Sequence, residues 1–569
     1  MMRTAIRALA ICCVVACGGS GDDDHSNEFD ATLVVEPATA EVTIATGAPA
    51  MQTYTSKLVW PDGFEKDVTA ETLFSVDEVF GAFQANTATV STAGKMSVRA
   101  LRSDKAGMAQ LIARLKSQRV DPSLPPNTPD IFNMPEDPAR APNVVYPPLD
   151  VVMPRNLGDF ETHWTDPHGN DVFEVSLKTE FADVRIYVPG GNGIASAGMM
   201  PSWTAFQAKE WLEAVGVEGT VSYQVRGVQL SNPTVVGAGP PRQVKLSNEE
   251  MQGGLYYWAA AAQNGAYGIY RHDMAKPGEP AEEFMTTNQT SNRCVACHVL
   301  SRDGTRMAIT YDGGDAVSSI VDVATRVAQP DTDRWNFATF TPDGTKLLTV
   351  FQGALSVRDS STRAVLGGMT AGGAVSHPDL SADGTRIVYA ITAGGADYSF
   401  DGGRIVTRSF DPTTNAFGPE MPLVTTGTNN FYPSWSPDGQ YVLFNRSDAG
   451  SSYNNGNASL WVVKADGSAP AIELVAANAG LGLTNSWGRW APFAQTVGTD
   501  QIYWVTVSSK RVFGTRLAAG TPQIWMTPFR VGAAGAGMDP SAAAFRLPFQ
   551  NLTSSNHIAQ WTERVIIPQ

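Results

Sequence analysis

The sequence predicts an all-β protein of several domains, and three observations lead to that class. The 569 residues are 43% hydrophobic and only 17% charged, with 53 glycines and 36 prolines, which suits turn-rich β domains and excludes global disorder. Short runs of alternating apolar and polar residues recur through the first half of the chain. The second half repeats one β unit at a spacing typical of propellers and solenoids. The length corresponds to roughly three to four domains.

The N-terminus has the features of an export signal. Arg3 and Arg7 form a positive region, and residues 8–16 form an apolar run too short to span a bilayer. The run ends in Val-Val-Ala before Cys17, which resembles the lipobox of bacterial lipoproteins, in which the cysteine is lipidated. We expect 1–16 to be a signal peptide, Cys17 to carry the lipid, and 17–29 to be a flexible tether. An ordinary signal peptide with a chance cysteine is the alternative.

Residues 30–119 are predicted to form the first folded domain. Five alternating runs predict strands, and Pro61-Asp62-Gly63 predicts a turn between two of them. The order of the segments 67–77 and 88–95 resembles that of bacterial Ig-like domains. This resemblance implies a β-sandwich and no particular chemistry. The predicted strands lie at 31–35, 41–45, 54–59, 88–91 and 95–99.

A second sandwich, Ig-like or fibronectin-like, is predicted for 144–248. It follows a proline-rich segment, 120–143, that is expected to act as a semi-rigid linker. Its strand signals lie at 172–177, 184–188 and 220–226, with one short helix expected at 204–215. His163 and His168 lie five residues apart at its start, but no third ligand is visible. A polar turn is therefore favoured there over a metal site.

From about residue 253 the chain repeats itself, and the mark of the repeat is Ser/Thr-x-Asp-Gly, each time followed by a β run. Asp-Gly between two strands is expected to supply the positive-φ residues of a tight hairpin. The four marked units resemble blades of TolB-like six-bladed propellers, which implies that fold for 249–569. The marks lie at 301–304, 341–344, 381–384 and 436–439.

Two further blades lack the mark. One is predicted from the β runs at 485–490, 501–506 and 523–526. The other has middle strands at 254–259 and 267–271 but no inner strand before them. The C-terminal run 556–561 is expected to supply that strand, since Trp561 aligns with Trp435 of a marked unit. A ring closed by strands from both ends of the chain leaves no open sheet edge and brings the count to six.

One motif carries a specific chemistry, Cys294-Val-Ala-Cys297-His298. Two thiols at this spacing can reach the two vinyl groups of one haem, and the following histidine is held under the iron as an axial ligand. The motif predicts one covalent haem c per chain, bound by Cys294, Cys297 and His298. A motif of this kind beside the propeller repeats looks like that of a family of exported bacterial propeller proteins. Three alternatives stay open: a local disulfide, a thiol–disulfide exchanger without its usual βαβ surroundings, and half a zinc site.

Iron bound by His298 has room for a sixth ligand. His557 is the first choice, because the expected closure places its strand beside the blade that carries His298. His377 is the second choice and Met274 the next. An ordinary structural role is the alternative for each of these residues.

Two functions from different classes follow. The first is a membrane-anchored monohaem c-type protein that passes electrons to a periplasmic redox partner or uses them on a small substrate at the propeller mouth. The second is a non-enzymatic binding or scaffold propeller for a protein, glycan or cell-wall partner, with a Cys294–Cys297 disulfide. The net charge of −15 excludes a domain-wide basic surface for nucleic acid. Because Gly18 rather than aspartate follows Cys17, the lipobox resemblance implies anchoring in the outer membrane of the bacterial cell envelope.

Overall fold

The computed structural model describes residues 25, 27–45, 48–157, 161–190, 219–260, 266–276, 279–392 and 396–566. They divide into two compact units. The first comprises Met1–Val42, Pro49–Ser91 and Lys95–Ala113, and the second comprises Thr43–Ala48, Thr92–Gly94 and Arg114–Gln569. The expected helix at 204–215, the signal peptide and Cys17 lie outside the described residues.

The first unit consists of short strands with alternating burial. In β9, for example, Met96, Val98 and Ala100 are buried while their neighbours are exposed, as the sequence period of two predicts. Strands β1, β4 and β5 form one sheet, β3, β8 and β7 a second, and β2, β10, β9 and β6 pair in a third. The strands are β1 (Thr32–Glu36), β2 (Thr39–Ile44), β3 (Ala50–Thr53), β4 (Thr55–Val59), β5 (Glu65–Asp67), β6 (Leu73–Ser75), β7 (Gly81–Gln84), β8 (Thr87–Val90), β9 (Gly94–Arg102) and β10 (Lys105–Val120).

The second unit begins with a sheet in the order β11-β18-β17-β15-β16-β10, to which β19 and β13 are added beside β17. Residues 115–120 of β10 pair in parallel with β16. The segment expected as a linker, 120–143, packs against this sheet, since Phe132 is buried among Val172, Tyr187 and Val228. The elements are α1 (Thr128–Ile131), β11 (Glu136–Asp137), β12 (Asn143–Tyr146), β13 (Val152–Met153), β14 (His163–Thr165), β15 (Val172–Lys178), β16 (Ala182–Pro189), β17 (Thr220–Val228), β18 (Val236–Ala238) and β19 (Arg242–Leu246).

The rest of the second unit is a propeller whose described residues form six sheets of four or five strands. The first sheet contains β20 (Gly254–Ala260), β21 (Gly268–Asp273) and β22 (Glu282–Thr286). The second contains β23 (Val295–Leu300), β24 (Arg306–Tyr311), β25 (Val317–Asp322), β26 (Val327–Ala328) and β27 (Asp333–Arg334), and the third contains β28 (Phe337–Phe340), β29 (Lys346–Phe351), β30 (Ala354–Asp359) and β31 (Val365–Met369). The fourth contains β32 (Ala374–Leu380), β33 (Arg386–Thr392), β34 (Arg404–Asp411), β35 (Ala416–Phe417) and β36 (Met421–Val424), and the fifth contains β37 (Asn429–Trp435), β38 (Tyr441–Ser447), β39 (Ser459–Lys464) and β40 (Ile472–Glu473). The sixth contains β41 (Ser486–Val497), β42 (Asp500–Ser509), β43 (Gln523–Arg530) and β44 (Phe545–Arg546), with the short helix α2 (Val531–Gly535) after β43, and the last strand is β45 (Ser555–Thr562).

The ring is closed as predicted. Strand β45 pairs antiparallel with β20, so that Trp561 lies opposite Leu255 and the C-terminus supplies the inner strand of the first blade. Around the ring the inner strands follow one another as β45, β23, β28, β32, β37 and β41, and β41 contacts β45 again. The all-β fold class and the closed six-bladed propeller are therefore confirmed.

The Ser/Thr-x-Asp-Gly marks form the hairpins between inner and second strands, in a different way from the one expected. Only the glycine has a positive φ, as at Gly344 (+67°), and the aspartate does not. The Asp343 carboxylate instead accepts hydrogen bonds from the Thr341 hydroxyl at 2.6 Å and the Thr345 backbone N–H at 3.1 Å. The aspartate therefore recurs because it caps the loop, which is the usual role of Asp in turns.

No helix among the described residues is both long and apolar enough to cross a membrane.

Candidate functional site

The propeller channel is lined by side chains at matching positions of the six inner strands. We call one such level the channel ring: Val299, Thr339, Asp379, Ser434, Arg489 and Gln560. Val299, Thr339, Asp379 and Ser434 each pair with the second strand of their own blade one step before the last pair. Arg489 and Gln560 are the first paired residues after the bulges of their strands, and each directly precedes a tryptophan. The next level, which we call the collar, consists of large apolar side chains: Leu300, Phe340, Leu380, Trp435, Trp490 and Trp561.

Most inner strands carry a β-bulge just before the channel ring. The bulge in β32 holds His377 at a φ of +48°, and matching bulges hold Tyr432 at +51°, Trp487 at +55° and Ile558 at +59°. In β23 the bulge falls between Val295 and His298, so it contains Ala296 and Cys297. The predicted haem motif therefore lies where the backbone departs from a regular ladder. A bulge redirects side chains, so a regular alternation does not predict their directions there.

Cys294 and Cys297 occupy different surroundings, and both are free thiols. Cys294 precedes β23, where its backbone N–H donates to Asp312 at 3.2 Å and its thiol interacts with the Trp258 indole. Cys297 is half-buried and lines the channel cavity, and burial raises the pKa of its thiol to about 11. A thiol with such a pKa is almost entirely protonated at neutral pH and is a poor nucleophile, which argues against a thiol–disulfide exchanger.

His298 is only 4% exposed. Its Nδ1 atom faces the backbone oxygen of Ala296 at 3.4 Å, whereas its Nε2 atom is buried with no hydrogen-bond partner. Burial lowers the pKa of His298 to about 4, so the imidazole is neutral at pH 7. A neutral imidazole whose second nitrogen is held by the backbone is the usual state of a histidine that binds a metal.

The first choice for a sixth ligand, His557, lies on the strand next to β23 in the ring, as the closure argument expects. Its ring packs edge-on against Trp258 with 4.7 Å between the ring centroids. Burial lowers its pKa to about 4, with a smaller contribution from His298. Trp258 therefore contacts His557, and His557 lies near His298, whose strand is its neighbour in the ring.

The second choice, His377, lies on the fourth blade, two blades beyond the one that carries His298. It lines the same cavity as Cys297 and His298. The Tyr432 backbone N–H donates to its Nδ1 at 3.4 Å, and its Nε2 is buried with no partner. Met274 is buried at the end of β21, where its backbone N–H donates to Gly253, and it is not among the residues that line the cavity.

The cavity runs along the channel from Cys297 to the hairpin turns and has a volume of about 190 Å³. Its lining includes the whole channel ring and the whole collar. Two members of the channel ring are charged, Asp379 and Arg489, and neither was predicted as a site residue. Arg302, which also lines the cavity, is paired with Glu563. A signal was present: Asp379 stands two residues before Ser381 of a hairpin mark, in a strand that is otherwise largely apolar.

The histidines His163 and His168 lie in different surroundings. His163 is buried in β14 and its Nε2 atom lies 2.8 Å from Glu161. His168 lies in an exposed turn, where its backbone N–H donates to Asp166. Across the described ranges, no group of three or more His, Cys, Asp or Glu side chains is arranged to hold a metal ion.

No known protein-family profile and no curated protein matches the chain. Among solved structures it is similar to TolB from Acinetobacter baumannii, with 14% identity over 60% of this chain and 79% of that chain and a TM-score of 0.35. It is also similar to a TolB structure from Agrobacterium tumefaciens (14% identity, 55% and 99% coverage, TM-score 0.32). A chain of the Mitotic Checkpoint Complex matches with 11% identity, 49% and 81% coverage and a TM-score of 0.29. TM-scores this low carry no argument, so the propeller is assigned from its own six sheets.

Proposed function

We propose that this chain is a lipid-anchored monohaem c-type propeller protein, which transfers electrons to a periplasmic partner or to a small substrate in the channel. The observation that carries the proposal is the buried Nε2 atom of His298, which has no partner and directly follows two free cysteines. A buried polar atom without a partner costs on the order of 1–3 kcal/mol, so its retention calls for an explanation. An iron atom bound at Nε2 supplies one.

The motif supplies the donor set that such a group needs: two free thiols and a neutral imidazole. Cys294 and Cys297 would hold a haem through two thioether bonds, and His298 would bind its iron. Each thioether would come from the addition of a cysteine S–H across a vinyl group, which requires no oxidant. When bound, the group supplies one-electron transfer, at a potential set by its ligands and its burial.

The chain's own residues would orient this site. The Ala296 carbonyl faces Nδ1 of His298, which fixes the orientation of the ring. Trp258 packs against His557 and would hold this second histidine in place. His557 remains the first choice for a sixth ligand, and with it the site would serve electron transfer. Without it, an open iron position would favour a small substrate.

The envelope location belongs to the same proposal, with Cys17 as the lipid-bearing residue and the outer membrane as the destination. The alternative is a binding or scaffold propeller stabilised by a Cys294–Cys297 disulfide. The haem proposal and the scaffold alternative make different predictions for the same two sulfur atoms. Haem attachment adds the mass of a haem to the chain, whereas a disulfide removes two hydrogens from it.

The experiment is expression with and without the cytochrome c maturation machinery, followed by a pyridine haemochrome spectrum and intact mass. We expect a c-type band and one haem per chain only when the machinery is present. Replacing both Cys294 and Cys297 with Ala should abolish it, and His298→Ala should disturb iron ligation or block maturation. His272→Ala, which removes another buried histidine, is the matched control and should leave haem content unchanged. A chain without haem that is two hydrogens lighter would refute the proposal and support the scaffold.

A further inference from the structure

The channel ring contains two opposite charges that are not paired with each other. Asp379 stands on the inner strand of the fourth blade and Arg489 on that of the sixth, with Ser434 of the fifth blade between them. Within the described part of the chain, no carboxylate lies within 4 Å of the Arg489 guanidinium. Its Nη1 atom donates to the Gly488 carbonyl at 3.0 Å. The Asp379 carboxylate accepts from the Trp435 backbone N–H at 2.7 Å.

Both groups are held in an unfavourable environment. Asp379 and Arg489 are each only partly exposed, and both line the cavity. Two partly buried charges that form no ion pair lose hydration without gaining a close opposite charge. Unpaired charges that face a cavity are typical of a binding site.

The walls add a second kind of contact. The collar places Trp435, Trp490 and Trp561 around the same cavity, and Trp487 and Phe337 line it near His377. These rings present apolar surface beside the two charges. A cavity of about 190 Å³ corresponds to roughly six water molecules at about 30 Å³ each, which is room for one small organic molecule.

We propose that the channel binds a small zwitterion with an apolar body, a free amino acid of the aromatic or aliphatic class, with its carboxylate on Arg489 and its ammonium group on Asp379. A planar guanidinium binds a carboxylate through two parallel hydrogen bonds, and a buried carboxylate is a strong acceptor for an ammonium group. The apolar body packs against the aromatic walls. An anion alone would leave Asp379 without an opposite charge beside it, and an amine alone would leave Arg489 without one.

Three probes that differ by one charged group test this site: L-phenylalanine, 3-phenylpropionate, which lacks the ammonium group, and 2-phenylethylamine, which lacks the carboxylate. Calorimetric titration of the full-length chain should give the tightest binding for phenylalanine, by about tenfold or more over each of the other two. The titration uses the full-length chain made without the maturation machinery, because Cys297 and His298 line the same cavity and a haem held there would compete for it. The haem test is run on separate material, so the failure of one proposal is distinguishable from the failure of the other.

Two substitutions assign the charges. Asp379→Asn should abolish the preference for phenylalanine over phenylpropionate, and Arg489→Gln should abolish the preference over phenylethylamine. Arg404→Gln and Asp466→Asn, both at exposed positions, are the matched controls and should change neither preference. If Arg489→Gln fails to fold, Arg489→Lys replaces it, with weaker binding expected of phenylalanine and phenylpropionate but not of phenylethylamine. Equal affinity for the three probes, or no binding of any, would overturn the proposal. Tighter binding of glucose, which is uncharged and polar, would also overturn it.

Discussion

Acidification is expected to destabilise the propeller through His272, a buried residue outside the haem motif. The His272 side chain is 5% exposed and stacks on Phe549, with 3.9 Å between the ring centroids. Burial alone lowers its pKa from 6.5 to about 4. Because the native state resists protonation, the unfolded chain binds the proton first as the pH falls. The contribution of His272 to stability is therefore complete above about pH 6.5 and is lost between pH 6.5 and 4.

The size of this effect follows from the shift. A displacement of about 2.5 pKa units corresponds to about 3 kcal/mol in total, of which about 2 kcal/mol is lost between pH 7 and pH 5. His272→Phe removes the titration and keeps the stack on Phe549. The urea midpoint, followed by tryptophan fluorescence, should fall with pH less steeply in this variant than in the native chain.

His168→Gln provides the control, since His168 lies in an exposed turn. It should reproduce the pH dependence of the native chain. If His272→Phe and the native chain lose stability in parallel between pH 7 and pH 5, the assignment of a buried neutral histidine is refuted.

Four further predictions concern closure, anchoring, the hairpin loops and the iron. Deleting all residues after Asn551 removes β45 and leaves β20 with an open edge, so the product should be insoluble, whereas deleting only 567–569 should not; a soluble truncated chain with native melting would contradict the closure. Cys17→Ser should move the protein from the membrane to the soluble fraction, and unchanged fractionation would exclude the lipid anchor. Asp343→Ala removes the acceptor of two loop hydrogen bonds and should cost about 1–2 kcal/mol in chemical denaturation, with no change expected if the loop is held by its glycine alone. His557→Ala should keep the haem attached but convert a six-coordinate low-spin spectrum into a high-spin one that binds carbon monoxide; an unchanged spectrum would transfer the test to His377.

The local features of this chain were predictable because their physical causes lie within a few residues. The hairpin between β28 and β29 depends on hydrogen bonds among Thr341, Asp343 and Thr345 and on a positive φ at Gly344, and all of these residues are adjacent in sequence. The C-terminal strand was predictable for a related reason. An inner strand was missing from the first blade, and an unpaired sheet edge inside a ring is unfavourable.

The sequence by itself determined the all-β class, the number of blades, the closing strand and the spacing of Cys294, Cys297 and His298. Only the tertiary structure decided what surrounds them. The burial of Nε2 in His298, its proximity to His557, and the unpaired charges of Asp379 and Arg489 all depend on contacts between blades. The register of each inner strand is set by its own hairpin, but the facing residues come from strands far apart in sequence. Bulges such as the one at His377 then redirect side chains that a regular alternation would place elsewhere.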